Sequence, residues 1–307
     1  MNVAKENFDE LDIYEIFSEL YKQKFFIFII SLTFGFAGLF YSLQLDNIYR
    51  STSVLSINLS SENQSSALSS RLGGIASLAG FSIGSSGGQD QTQLAIATIK
   101  SKDFLNSLIQ KENILPMLMA VSDYDVANNK IFFDKKIYDD SLKKWTRESN
   151  YPLLSKPNYI EAHQKYIDLL NINFDSDTGL IYLSFDHISP IFAKDFLLLI
   201  IDEINIQGKK KDIIESTNAL NYLNEVNANI LNVEVKSSIS SLIESQLEKK
   251  MLASIKDEYV LKIVDSPFIP IQKHKPSRII ILIVSIFMGV IFSTFYVLFL
   301  FYKNKRR

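Results

Sequence analysis

The 307-residue chain has no cysteine, a single tryptophan, three histidines and seven prolines. Without cysteine there can be no disulfide, no thiolate nucleophile and no cysteine-ligated zinc. The histidines, His163, His187 and His274, form no H-E-x-x-H pattern, which removes the zinc-protease arrangement. Neither G-x-x-x-x-G-K-[ST] nor G-x-G-x-x-G occurs, so no phosphate-cradling loop is available for a nucleotide. No G-x-S-x-G nucleophile elbow is expected either. Charge of one sign is also lacking: 32 basic and 34 acidic residues leave a net charge of −2, and a nucleic-acid partner is not indicated. No catalytic residue, cofactor or metal ligand is therefore assigned. Between Pro190 and Pro267 there is no proline at all, which leaves room for long unbroken helices.

What the chain does have is two long apolar runs. Phe25 to Leu43 is 19 residues without a charge, and Ile279 to Tyr302 is 24. As helices they reach roughly 28 and 36 Å, against about 30 Å of bilayer hydrocarbon. Nothing in the 233 residues from Asp46 to Arg278 resembles a third run. The expected plan is a tail (1–24), a span (25–43), a large outer domain (44–278), a second span (279–302) and a tail (303–307). Lys22 and Lys24 precede the first span, and Lys303, Lys305, Arg306 and Arg307 follow the second. By the positive-inside tendency both tails lie in the cytoplasm, with the domain outside. Lys273, Lys275 and Arg278 oppose this, but long domains translocate largely regardless of charge. The first run is too long for a signal-peptide core, and no small-x-small site follows it, so an uncleaved anchor is expected.

The cytoplasmic tail offers Asp12 and Glu15 as a capping box, with Leu11 and Ile16 as its staple. Ile13, Ile16, Phe17 and Leu20 then fall at helical spacing, either as a lead-in helix or as a docking element. In the spans, Ser31, Gly35 and Gly38 and then Ser285, Gly289 and Ser293 make ridges of small residues that would let two helices approach closely.

In the outer domain, Tyr49 to Leu59 reads as a strand. Ser60 to Gln91 holds ten serines and six of the eleven glycines, interleaved with Leu68, Leu72, Ile75, Leu78, Phe81 and Ile83. It reads as a packing loop. Gln91 to Lys111 is helical with an interruption near Ser101 to Asp103. Tyr138, Trp145, Tyr151 and Tyr159 could stack on sugar rings, although ordinary packing is the expected role of such aromatics. Asn171 to Phe185 is a hairpin around Asp175-Ser176-Asp177-Thr178-Gly179. Those aspartates echo a calcium loop but lack its remaining ligands, so the turn reading stands.

Ser189 and Pro190 open a helix as N-cap and first helical residue. Ile206, Ile213, Leu220, Leu223 and Ile230 then follow coiled-coil-like spacing and make the candidate oligomer helix, with a possible kink at Gly208. A helix from residue 190 to 230 spans roughly 60 Å. The chain must return, so a turn is expected near Asn227 to Asn232 and a second helix over Ser238 to Ala253. Tyr259 to Val264 reads as a strand paired with the first. Pro267, Pro270 and Pro276 then make a stiff connector or a plain spacer before the second span. The fold class is thus α+β, with two membrane helices, a membrane-proximal mixed sheet and a long helical hairpin.

The run Asp257 to Pro270, followed by Lys275-Pro276-Ser277-Arg278 and a span, resembles the C-terminal motif of the Wzz family of polysaccharide co-polymerases. Leu72 to Phe81 is similar to a glycine-serine insertion in many members, and Ile99 to Leu105 to the helix after it. The Thr178-Gly179 hairpin and His187 to Pro190 occur in matching order. The resemblance implies a non-catalytic regulator of lipopolysaccharide O-antigen chain length in the bacterial inner membrane, with a periplasmic domain. It implies a homo-oligomeric ring, a Wzy-type polymerase as partner and a lipid-linked growing polysaccharide as substrate class. A kinase of the related class is not expected from the five residues after Tyr302, nor a sensor's output module from the two tails. A structural adaptor of an envelope polysaccharide exporter is the alternative.

Overall fold

The computed structural model describes residues 13–58, 87–149, 153–229 and 232–305. The Asp12 capping box, Leu72 to Phe81, Tyr151 and Ile230 lie outside them. The chain divides into two compact units, one of residues up to Asn47 together with those from His274 onward, the other Ile48–Lys273.

The first unit contains α1 (Ile13–Lys22), α2 (Lys24–Gln44) and a long helix, Arg278–Lys305, labelled α9 below. Both α2 and α9 are long and apolar enough to cross a membrane. Most of their large side chains face outward, Phe25, Phe28, Phe36, Ile279, Phe287 and Phe295 among them. The core helix of a soluble protein would bury that surface; a bilayer accepts it.

In the second unit the elements run β1 (Tyr49–Ile57), α3 (Gly87–Ile99), α4 (Lys102–Lys111), α5 (Leu115–Met119), β2 (Val121–Asp125), β3 (Lys130–Phe133), β4 (Tyr138–Asp139) and β5 (Lys144–Trp145). After these come α6 (Tyr159–Leu169), β6 (Leu170–Asp175), β7 (Leu180–His187), α7 (Pro190–Asn229), α8 (Val233–Ile255) and β8 (Leu261–Asp265).

The α+β class read from the sequence is the class observed. The main sheet has the order β6-β7-β1-β8, so the first and last strands of the unit do pair. All three pairings are antiparallel, which corrects the expected mixed sheet. The reason lies in the connection: α7 and α8 make one round trip, and β8 returns in the direction of β7. The β6–β7 hairpin turns on Gly179 at φ +70°, a left-handed value that glycine adopts at no steric cost.

One face of the sheet, with Leu55, Ile181, Leu183, Phe185 and Leu261, is covered by Ala193, Phe196, Leu197, Ile200 and Ile204 of α7. Tyr166 of α6 is buried in the same core, its hydroxyl donating to the Ile99 carbonyl at 2.9 Å. The interruption between α3 and α4 is a cap: Ser101 Oγ accepts from the Phe104 amide at 3.1 Å. Helix α7 ends at Asn229 and α8 begins at Val233, where Asn232 Oδ1 caps the helix by accepting from the Glu234 amide at 2.9 Å. The second helix is longer than Ser238 to Ala253 because this cap sits five residues earlier than the apolar pattern suggests. Helix α7 continues through Gly208 and runs for 40 residues. A Cβ there would stand 2.2 Å from Val260 Cγ2, so the glycine instead lets the helix approach the start of β8.

Candidate functional site

Within the first unit, α2 buries Ser31, Gly35, Gly38 and Ser42 on one face, and α9 buries Gly289, Ser293 and Val297. These faces meet antiparallel. A Cβ on Gly38 would lie 2.0 Å from Ser285 Oγ, and one on Gly289 would lie 2.7 Å from Ser31 Cα. Phe34 stacks on Phe292 and Phe26 on Tyr296, each at 5.8 Å. Ser31, Gly38, Ser285 and Gly289 therefore meet in one seam, with Gly35 packed against Ile286 and Ser293 buried. Antiparallel pairing also places Lys22 and Lys24 at the same end of the unit as Lys303.

Of the three connector prolines, Pro267 and Pro270 are buried in the second unit. Proline lacks the N–H that a strand edge would use. Here β1 supplies side-chain bonds instead: Ser53 Oγ donates to the Asp265 carbonyl and Ser51 Oγ to the Phe268 carbonyl, both at 2.7 Å. Pro276 belongs to the first unit.

The heptad positions on α7 do not share one environment. Leu220 is buried, Ile213 and Leu223 are half-buried, and Ile206 is 48% exposed. The helix changes partner along its length, from the sheet to α8, so its buried face rotates. The residues that tie it down are polar, and no sequence pattern marks them. Asn205 bonds the start of β8 through Val260 N, Leu261 N and Leu261 O. Glu203, buried, accepts from Ser107 at 2.9 Å and Gln207 at 2.7 Å, and pairs with Lys111. Its carboxyl is held below the usual range: burial opposes this, and the bonds from Lys111, Gln207 and Ser107 outweigh it. Asp212 joins three segments, accepting from Tyr259 at 2.6 Å and Lys249 at 2.9 Å. No periodicity announces such residues, because a buried polar side chain and a solvated one look alike in a sequence.

His187 is another. Ser189 N donates to its Nδ1 at 3.0 Å, so Nδ1 is the acceptor and Nε2 carries the proton toward the Met117 carbonyl, also 3.0 Å away. Burial pushes its pKa from 6.5 down to about 4. A base whose folded pKa is depressed leaves the unfolded state binding more protons, so stability is lost as pH falls from about 6.5 toward 4. The loss is about 3 kcal/mol across that window. Thermal unfolding of the detergent-solubilised chain against pH should show it, and His187→Asn should flatten that part of the slope. An unchanged slope in the variant would assign the effect elsewhere.

Between α3, α7, α8 and the ends of β1 and β8 lies a groove of about 910 Å³. Its walls mix apolar Leu94, Ile214 and Leu252 with Lys210, Lys211 and Lys249 and the carboxylates of Asp212 and Glu215, which pair with Lys249. The aromatic set behaves differently. Tyr138 is buried with its ring 5.0 Å from that of Trp145, so that pair packs its own hairpin. No cluster of three or more histidine, aspartate or glutamate side chains fit to hold a metal occurs among the described residues. The letters G-x-S-x-G do occur, at Gly80 to Gly84 and Gly84 to Gly88. An elbow needs a strand directly before the serine and a helix directly after; Ser82 and Ser86 both lie outside the described residues, and serine- and glycine-rich composition produces these letters readily.

Residues 9–112 match the family model described as Wzz, chain length determinant protein. That range covers α2, β1, α3 and α4 and excludes the proline segment. No curated protein matches the chain in sequence. Among solved structures, a full-length bacterial polysaccharide co-polymerase aligns at 12% identity over 96% of this chain and 99% of its own, with a TM-score of 0.38. A fragment of WzzB, a polysaccharide co-polymerase from Salmonella Typhimurium, aligns at 14% identity over 75% of this chain and 100% of its own, with a TM-score of 0.28.

Proposed function

We propose that this chain, of the Wzz chain length determinant family through residues 9–112, makes no bond itself and sets the modal length of a polysaccharide built by a separate membrane polymerase. The family match over the first apolar helix and the strand after it is the observation that carries this reading. Two helices fit to anchor the chain in a membrane support it. In this reading both termini are cytoplasmic and the central domain is periplasmic, in the bacterial inner membrane. The polymer is lipid-linked O-antigen, the polymerase is of the Wzy type, and several copies act together. Pro267, Pro270 and Pro276 fix the path from the domain toward the second span.

A length effect needs only different affinities for growing chains or for polymerase states, which is a binding property. Deleting the gene should keep polymer production and replace a modal size cluster by an unregulated ladder on a gel. Loss of all polymer would instead favour an exporter adaptor or an enzyme.

A further inference from the structure

After β8 the chain turns its prolines in and its large apolar side chains out. Pro267 and Pro270 are buried, whereas Phe268, Ile269 and Ile271 are 51%, 47% and 96% exposed. Large apolar groups gathered on a surface mark a contact. The backbone holds them there. Ser53 Oγ donates to the Asp265 carbonyl and Ser51 Oγ to the Phe268 carbonyl, and the two prolines fix φ on either side of Phe268 and Ile269.

Two short tethers say what the patch can reach. Six residues separate Ile271 from Arg278, where the apolar helix α9 begins. Six also separate Gln44, the end of α2, from Ser51, which holds Phe268. Fully extended, either tether spans at most roughly 25 Å. The charge agrees with a lipid surface. From Ser266 to Arg278 there is no carboxylate, and Lys273, Lys275 and Arg278 are basic. These are the three residues that run against the positive-inside tendency. Apolar area and attraction to anionic headgroups together set how strongly a segment binds a bilayer surface. Irregular backbone does not enter hydrocarbon exposed to lipid, so only the side chains would reach the acyl boundary.

We propose that Phe268, Ile269 and Ile271 insert into the headgroup layer of the bilayer that α2 and α9 cross, with Lys273 and Lys275 on lipid phosphates. The second unit then has a lipid contact of its own, beyond its two covalent tethers. This insertion rests on the anchoring part of the reading above and needs nothing about polymer length.

The absence of cysteine lets one environment-sensitive dye be placed at a chosen site. The full-length chain is put into nanodiscs of phosphatidylcholine and phosphatidylglycerol, with Ile271→Cys, Val233→Cys or Phe287→Cys labelled in turn. Val233 is 80% exposed and follows the far end of α7, and Phe287 lies within α9. Brominated acyl chains should quench the dye at position 271 several-fold more than the dye at 233, and aqueous iodide should quench it several-fold less. Phe268→Ser with Ile269→Ser should remove most of that lipid quenching, which controls for the dye's own affinity for lipid. A dye at 271 as open to iodide as the one at 233, while the one at 287 is quenched by lipid, would overturn the insertion and leave the anchoring intact. Shielding from iodide without quenching by lipid would mean that a protein surface covers the patch, and would overturn it as well. A dye at 287 untouched by brominated lipid would take away the anchor, and the insertion with it.

Discussion

Asn205→Leu is expected to destabilise the second unit by about 3–5 kcal/mol, enough to remove much of a typical domain's stability. Among the described residues, strand β8 is at one edge of the sheet and pairs with β1 alone. On its other side, where a fifth strand would be, stands the side chain of Asn205. Its Oδ1 accepts from Val260 N at 2.7 Å and Leu261 N at 2.9 Å, and its Nδ2 donates to Leu261 O at 3.0 Å. Asn205 and Leu261 are both buried. Leucine has nearly the same shape but would leave two amides and a carbonyl without partners, at about 1–3 kcal/mol for each group left dry. Asn205→Asp keeps the acceptor, loses the donor and turns a carboxylate oxygen toward a carbonyl, so its cost should be smaller at low pH than at neutral pH. Unfolding of the purified chain in detergent, followed by circular dichroism, checks both. A melting temperature for the leucine variant within experimental error of the parent would show that water reaches those groups.

Gly38→Ile should separate the paired helices of the first unit. Its Cβ would fall 2.0 Å from Ser285 Oγ and 2.4 Å from Ser285 Cβ, well inside any allowed contact. Without a hydrophobic force between helices in lipid, close packing is what holds such a pair together. Overpacking costs about 1–3 kcal/mol, and here it falls on the close contact itself. Ser285→Gly should partly rescue the variant, since the clash is with that side chain. Gly289→Ile meets the backbone at Ser31 Cα, 2.7 Å away, so trimming Ser31 should not rescue it. The readout is an intramolecular disulfide between Phe34→Cys and Phe292→Cys, whose rings stack in the parent. It should form readily in the parent background, fail with Gly38→Ile, and return in part with Ser285→Gly. Unimpaired crosslinking in Gly38→Ile would mean the seam is not close-packed in the membrane.

The elements that the sequence announces are those whose cause is local. A run of apolar residues long enough to span lipid carries its own reason. So does Ser189 before Pro190, where Oγ caps the Phe192 amide at 3.3 Å, and so does the Gly179 turn. The small residues of the two spans were visible as spacing, because close approach has few chemical solutions. The rest was decided by contacts between residues far apart in the chain. Which way β8 runs depends on how many helices precede it. Where α7 buries its surface depends on the sheet beneath its first half and α8 beside its second, so no single heptad register describes it. Asn205, Glu203 and His187 became structural only because the fold removed them from water and gave each a partner 56, 92 and 70 residues away. A polar side chain's role depends on whether water can reach it, and that is a property of the tertiary structure, to which a local pattern is blind.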